Sequence, residues 1–197
     1  MTRKELIFAI HKGALKANRN YSKWSGGEWI CDYGIEGYMV AEICKSIQCT
    51  RRNGYLTMEE PFDNLIENSG KKPTGRRPEI INGSKRIDIA IWNSKNIITH
   101  IVEVKREWNN EVGCHDLKRL CELQQKCNKI QCGLFVMLVV SDGGKIAMVK
   151  KAEKQIEDIQ NHLKCINNRI HRGWEASSVQ HENGRIASTL CVEIYGR

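Results

Sequence analysis

Two neighbouring segments rich in β-branched residues constrain the fold of this chain more than any other feature. The segment "RIDIAIW" covers residues 86–92 and "ITHIVEVK" covers residues 98–105, and "NSKN" between them has the composition of a hairpin turn. Each segment carries charge near its centre, with Asp88 in the first and Glu103 and Lys105 in the second. Strands that are buried on both faces are normally apolar throughout, so these three side chains need a specific explanation.

The alternation of side chains along a strand predicts that these charges lie together. Successive side chains point to opposite faces, so Glu103 and Lys105 share one face and Val104 takes the other. If the two strands pair as an antiparallel hairpin, Asp88 can join them on that face. One interpretation is a solvent-exposed hairpin face with cross-strand ion pairs. The alternative is a buried pair of carboxylates, which needs a compensating cation.

A divalent metal ion would supply that cation. Mg²⁺ prefers oxygen ligands and usually takes only one or two protein carboxylates together with several waters. A bound ion of this kind acidifies water and neutralises charge on a phosphate. Lys105 could hold the attacking water or the phosphate as a point charge. The spacing of Asp88, Glu103 and Lys105 therefore indicates a site for phosphodiester hydrolysis.

The same residues carry a resemblance to a known family. "IDIAI" followed by "IVEVK" resembles the core of the PD-(D/E)XK nuclease superfamily, which has the restriction-endonuclease-like fold. Asp88 matches the aspartate of the motif, and Glu103 and Lys105 match its E-x-K element, while Ile87 stands where the motif has proline. The resemblance implies an α/β fold with a mixed central sheet flanked by helices and an αβββαβ core. It also implies Mg²⁺, for which Mn²⁺ can substitute, held by Asp88, Glu103 and the Val104 carbonyl.

A helix predicted upstream, over residues 34–49, offers a further carboxylate, as the family often has one there. Its apolar residues, among them Val40 and Ile43, recur on one face. Glu36 lies four residues before Val40 on that face, so we predict that Glu36 points at the strands and joins the catalytic and metal-binding residues. Glu42 falls on a side of the helix with both polar and apolar residues, and we expect this side to be exposed to solvent. The alternative for Glu36 is a position in the first turn favoured only by the helix dipole.

Hydrophobic periodicity predicts the remaining elements of a single domain over 1–197, with the motif region at about 30–140. The order is a mixed α/β arrangement with helices packed on a central sheet. A capping box at Thr2 and Glu5 begins the first helix. The other predicted elements are a helix over 2–17, a loop over 18–29, a helix over 111–129, a buried strand over 133–140, and a helix and a strand over 151–195.

Composition favours a polyanionic partner. Lys and Arg number 31 against 23 Asp and Glu, a net charge of +8, which points most simply to nucleic acid. The nuclease resemblance makes double-stranded DNA the expected partner. The loop over 71–86 is strongly basic, although a solvated loop kept soluble by its charge explains it equally well. The candidate contacts to nucleic acid are Lys71, Lys72, Arg76, Arg77, Arg51, Arg52, and, on the polar face of the helix over 111–129, Lys118 and Gln125.

Other features restrict the setting of the protein. The longest apolar run, over 134–140, is too short to cross a membrane, and the first residues do not have the pattern of a secretory signal. Nine cysteines without such a signal indicate free thiols in a reducing cytoplasm. A cysteine metal site at Cys114, Cys121, Cys127 and Cys132 with His115 is disfavoured, because no C-x-x-C pair is present and the first three cysteines fall near the apolar side of one predicted helix.

The sequence therefore predicts an Mg²⁺-dependent endonuclease acting on DNA. The family includes homodimeric restriction enzymes, so the resemblance also allows a homodimer. Two alternatives stay open. One is a catalytically inactive DNA-binding module of the same fold, and the other is a basic protein-interaction domain in which the charged strands form only a wet hairpin face.

Overall fold

In the part of the chain that the structure describes, a mixed sheet of six strands lies between two layers of helices. The structure is a computed structural model that describes residues 1–68, 79–81, 85–127, 129–164, 178–180 and 185–194. The predicted class, an α/β protein with a mixed sheet flanked by helices, is confirmed. The helices are α1 (Arg3–Trp24), α2 (Ile30–Tyr33), α3 (Glu36–Thr50), α4 (Phe62–Glu67), α5 (Asn110–Lys126) and α6 (Gly144–Lys164). The strands are β1 (Tyr55–Pro61), β2 (Arg86–Trp92), β3 (Ile98–Lys105), β4 (Cys132–Ser141), β5 (Ser178–Gln180) and β6 (Ile186–Ile194).

The strands lie in the order β1-β2-β3-β4-β6-β5. Strands β1, β2 and β3 pair antiparallel, β3 and β4 pair parallel, and β4, β6 and β5 pair antiparallel again. A parallel pair needs a long crossover connection, and α5 provides it between β3 and β4. Asn109 begins this helix by accepting hydrogen bonds from the backbone of Glu111 and Val112.

Each face of the sheet has its own apolar core. On one face, residues such as Leu134 and Val136 pack against α1 and α3. On the other, Phe135 and Met137 pack against the layer of α4, α5 and α6. Since β4 is covered on both sides, all but its last residue are buried, which explains the continuous apolar run in its sequence. Cys121 and Cys127 lie in the second core, where they act as small apolar side chains.

Helices α1 and α3 cross at an unusually short distance, and this contact positions α3. A Cβ atom on Gly13 of α1 would lie 2.5 Å from the Cα of Ile43 and 2.8 Å from the carbonyl oxygen of Glu42. No side chain fits into that gap, so glycine is needed there for close packing. The contact fixes the direction in which the first residue of α3, Glu36, projects.

Two departures from the predicted elements, in α1 and β1, have tertiary causes. Helix α1 continues to Trp24 through the predicted loop, because Asn18 is buried and its Oδ1 accepts a hydrogen bond from the Ile30 amide at 3.1 Å. Strand β1 was not predicted, and it is held by its pairing with β2. Helix α6 begins at Gly144, before the start at residue 151 that the sequence predicted. In the part of the chain that the structure describes, no helix combines the length and apolar character needed to cross a membrane.

Candidate active site

Both faces of the β2–β3 hairpin are covered, so its charges lie inside the protein. Ile89 pairs with Val102 on the face toward α1 and α3, and Ala90 pairs with Ile101 on the face toward α5. The side chain of Glu103 is only 2% exposed. The interpretation as a solvent-exposed hairpin face is therefore wrong.

Strand register brings Asp88 and Glu103 to the same place. The pairing of Ile89 with Val102, continued by one residue, sets Asp88 opposite Glu103 on the same face of the hairpin. Asp88 Oδ2 accepts a hydrogen bond from the Val104 amide at 2.6 Å. This bond holds the Asp88 carboxylate against β3.

Lys105, the last residue of β3, lies among three carboxylates. Its Nζ is 3.2 Å from Glu36 Oε1, 3.1 Å from Glu103 Oε1 and 3.1 Å from Asp116 Oδ2. The predicted site residues Glu36, Glu103 and Lys105 are thus brought into contact. Asp116, on α5, joins them without having been predicted.

A second cation from α5 completes the cluster. Arg119 Nη2 lies 2.7 Å from Glu103 Oε1 and 2.6 Å from Asp116 Oδ1. Glu103, Lys105, Asp116 and Arg119 therefore form a closed ring of alternating charge, which we call the charge ring. The guanidinium of Arg119 also lies 5.8 Å from the centre of the Phe62 ring, within range of a cation–π contact.

The sequence did contain a signal for the two residues of α5. The apolar stripe of this helix runs through Leu120, Leu123 and Cys127, and one helical turn before Leu120 it reaches Asp116. The same argument that selected Glu36 on α3 would have selected Asp116. Arg119 is then its partner at a spacing of three residues.

The first residue of α3 lies at the end of β3, as its helical phase predicted. Glu36 Oε2 accepts a hydrogen bond from the Arg106 amide at 3.3 Å, and Arg106 Nη1 donates to the Gly34 carbonyl at 2.7 Å. These bonds tie the segment before α3 to the residue that follows β3. The Glu36 carboxylate is therefore anchored to the cluster by more than its position in the first turn of a helix.

Glu42 does not see solvent, contrary to expectation. Its carboxylate lies between Lys16 of α1, at 3.0 Å, and Lys45 of α3, at 2.8 Å, and it is almost fully buried. The hydrogen bonds from Lys45 and then Lys16 keep the pKa of Glu42 below its usual value. The periodicity of α3 alone could not reveal that α1 covers this flank.

Burial dominates the electrostatics of the cluster. It raises the pKa of Asp88 to about 6, against the opposing effects of the Val104 amide and the Lys105 charge. It also raises the pKa of Glu103, and the negative charge of Asp88 adds to that rise. Burial by itself would lower the pKa of Lys105, but the nearby carboxylates, Glu103 first and then Asp116, raise it overall.

Apart from burial, the cluster has an excess of negative charge. The cluster holds four carboxylates, Glu36, Asp88, Glu103 and Asp116, and its contacts to cationic side chains come from Lys105 and Arg119. With every group ionised, two negative charges remain without compensation in a largely buried place. One divalent cation would balance them.

The donor set fits such an ion. Glu103 Oε2 is buried and has no hydrogen-bond partner among the described residues, and an unsatisfied carboxylate oxygen is costly. Over the described ranges, no three His, Cys, Asp or Glu side chains already converge as a preformed metal site. Mg²⁺ does not require three, since it binds through one or two carboxylates and keeps several waters. Asp88 and Glu103 would hold it, and the Val104 carbonyl stays a predicted further ligand.

The residues predicted to contact nucleic acid differ in their exposure and in their hydrogen bonds. Arg52, Lys118 and Gln125 are exposed. The Arg51 guanidinium instead donates to carbonyls of the chain itself, those of Asn53, Tyr55 and Trp92, so it supports the turn between α3 and β1. Four further candidates lie outside the described residues: Lys71, Lys72, Arg76 and Arg77.

Comparisons with protein-family models, with curated proteins and with solved structures gave no match to this chain. The fold and the cluster together define a class: an α/β protein with a mixed central sheet, in which an antiparallel hairpin presents a buried carboxylate–lysine cluster beneath a crossover helix.

Proposed function

We propose that this protein is a metal-dependent nuclease that hydrolyses phosphodiester bonds of DNA, with a restriction-endonuclease-like fold. The observation that carries the proposal is that Lys105 contacts Glu36 and Glu103 at the end of β3, where Asp88 of β2 lies opposite Glu103. The order of elements supports it, because α3, β1, β2, β3, α5 and β4 follow the αβββαβ order that the PD-(D/E)XK resemblance implies, with the short helix α4 inserted between β1 and β2.

Four residues of the cluster have distinct roles in this proposal. Asp88 and Glu103 hold the divalent ion, which supplies Lewis acidity at the phosphate and acidifies water. Lys105 is kept as an ammonium cation by its three carboxylate neighbours, so it donates hydrogen bonds to a phosphate oxygen or to the attacking water. Glu36 orients that water, since its side chain is 35% exposed and forms the solvent side of the cluster.

The surroundings of Glu36 suit a nucleic-acid strand. Tyr33 and Ile35 are large apolar side chains with exposures of 71% and 74%, and they flank Gly34 in the segment that Arg106 anchors. Exposed aromatic side chains next to cationic ones commonly stack on bases. In the proposed complex, the scissile phosphate enters past Glu36 and the neighbouring base contacts Tyr33. The net charge of +8 favours such binding.

A second candidate is a DNA-binding module of the same fold without catalysis. One observation favours it: the charge ring pairs each of its four members with two others. A network of this kind can be kept for structure alone. A structural network would gain no stability from a divalent ion, whereas the proposed nuclease would.

The decisive experiment is a substrate panel. Supercoiled, linear, single-stranded and branched DNA, and RNA, are incubated with the protein in Mg²⁺, Mn²⁺ or EDTA. We expect cleavage of DNA that requires metal and is lost in Asp88→Asn, while the exposed control Glu157→Gln on α6 cleaves like wild type. If the protein binds DNA without cleaving it, and metal does not raise its melting temperature, the nuclease proposal is wrong and the DNA-binding module is supported.

A further inference from the structure

Arg119 is a mostly buried cation in contact with a residue proposed to bind the metal. Its side chain is 15% exposed, and its two ion pairs, to Glu103 Oε1 and to Asp116 Oδ1, both use the nitrogen Nη2. Neither the resemblance nor the proposed mechanism gives this arginine a task. It still touches the Glu103 carboxylate at 2.7 Å, the shorter of the two cationic contacts to that group.

We propose that Arg119 is a placeholder cation. Its positive charge compensates the Glu103 carboxylate while the metal is absent, and the metal takes over that role when it binds. This inference concerns the proposed active site and rests on the proposed function. Without Arg119, the four carboxylates of the cluster would have Lys105 as their remaining cation among the described residues, and Lys105 contacts three of them. The positive charge of Arg119 therefore lowers the electrostatic cost of gathering these carboxylates in the metal-free protein.

Asp116 is the residue that makes the exchange possible. One of its oxygens, Oδ1, contacts Arg119 at 2.6 Å, and the other, Oδ2, contacts Lys105 at 3.1 Å. The ring can therefore open at Glu103 while both cations keep an anionic partner. Asp116 is thus a positioning residue, since it acts on the metal site through Arg119 and Lys105.

The proposal predicts opposite effects for the two members of the Arg119–Asp116 pair. Arg119→Met removes the competing charge, so the metal should bind more tightly while the metal-free protein becomes less stable. In Asp116→Asn, Lys105 and Arg119 lose an anionic partner and pair more strongly with Glu103, so the metal should bind more weakly. Arg119→Lys should keep the metal affinity close to that of wild type, because its ammonium retains the positive charge beside Glu103 and Asp116.

The test measures Mn²⁺ affinity by calorimetry on the full chain without nucleic acid, together with urea unfolding in EDTA and in Mn²⁺. Lys118→Met is the matched control, since it removes the same charge from an exposed position one residue earlier on α5. We expect Arg119→Met to bind Mn²⁺ about tenfold more tightly than this control, as for a close charge pair at a partly buried site. We expect its stability deficit in EDTA to shrink in saturating Mn²⁺.

Three outcomes would overturn the proposal. The first is an affinity of Arg119→Met for Mn²⁺ that is equal to or weaker than that of the Lys118→Met control. The second is an Arg119→Lys protein that binds Mn²⁺ as Arg119→Met does. The third is an Arg119→Met protein that folds in neither EDTA nor Mn²⁺. If neither wild type nor Arg119→Met binds Mn²⁺, this inference and the metal-dependent nuclease both fail. If Arg119→Met binds more tightly but wild type cleaves no substrate, only the nuclease fails.

Discussion

The Glu36 carboxylate lies 3.2 Å from the Lys105 ammonium, although 69 residues separate the two in the chain. Glu36 opens a helix of one outer layer, whereas Lys105 ends a strand of the sheet. Their contact depends on the close crossing of α1 and α3 at Gly13 and on the bonds that Arg106 makes to the segment before α3. The relationship makes Glu36 the carboxylate of α3 to test first.

Glu36→Gln and Glu42→Gln form a matched pair on one helix. We expect Glu36→Gln to reduce metal-dependent cleavage by about 100-fold, the size of effect typical for a lost catalytic group, with little loss of stability. Glu42→Gln should cleave normally per folded molecule but unfold more easily, because two lysines lose their buried partner. Single-turnover cleavage and urea unfolding of both variants measure this. A larger loss of cleavage in Glu42→Gln would contradict the site assignment.

Lys105→Met should abolish cleavage without abolishing binding. Lys105 contacts the carboxylates of the site, whereas the exposed cations that favour DNA lie elsewhere. We expect a loss of cleavage of about 100-fold or more and a change in DNA affinity of less than about threefold. Cleavage assays and fluorescence anisotropy are run beside Lys145→Met, an exposed control on α6. Undiminished metal-dependent cleavage by Lys105→Met would remove this residue from the mechanism.

Gly13→Ala should destabilise the protein even though alanine is the better helix former. The new methyl group would meet the backbone of α3 at 2.5 Å, which forces the helices apart and costs about 1–3 kcal/mol. Gly37→Ala is the control, since its added Cβ meets nothing within 4 Å, and we expect it to stabilise by up to ~1 kcal/mol. Urea unfolding compares the two. A stabilised Gly13→Ala would show that the close crossing is not rigid.

His100 should make the protein sensitive to acid. Burial, and then the charge of Arg51, lowers the pKa of His100 to about 4, below the value of about 6.5 in an unfolded chain. Between those values the unfolded state binds more protons than the folded state, so the contribution of His100 to stability falls as the pH falls. We expect wild type to lose about 2 kcal/mol relative to His100→Gln between about pH 7 and about pH 4.

Urea unfolding across that pH range measures the difference between wild type and His100→Gln. His115→Gln removes an exposed imidazole from α5 and controls for the loss of a histidine as such. Parallel pH profiles for wild type and His100→Gln would show that His100 is protonated equally in the folded and unfolded states.

The basic segment over 71–77 should contribute to binding through phosphate contacts. Replacing its four cations, Lys71, Lys72, Arg76 and Arg77, with Gln should weaken DNA binding for all sequences and flatten the dependence of affinity on salt, because fewer counterions are released. Anisotropy titrations at several salt concentrations give the slope. The control removes the same number of exposed charges from α6, at Lys145, Lys150, Lys151 and Lys154. An equal slope in wild type and the loop variant would mean that the segment is only a solvated loop.

The sequence by itself determined the features that depend on local periodicity. The β-branched runs and the "NSKN" turn predicted the β2–β3 hairpin, and the continuous apolar run predicted β4 as a strand covered on both faces. Alternation along β3 set Glu103 and Lys105 on one face, and the phase of α3 directed Glu36 toward them. Such patterns are readable because the repeat of a helix or strand relates each side chain to its own element.

Only the tertiary structure decided which side chains are buried by a neighbouring element. Glu42 is buried because α1 crosses α3, and Asn18 stays helical because its side chain meets the Ile30 amide. Asp116 and Arg119 enter the cluster because the crossover from β3 to β4 lays α5 over Glu103. Periodicity gives the direction in which a side chain points from the axis of its own helix or strand. The residue that it meets depends on how whole elements pack together. That packing is determined by close contacts between residues far apart in the chain.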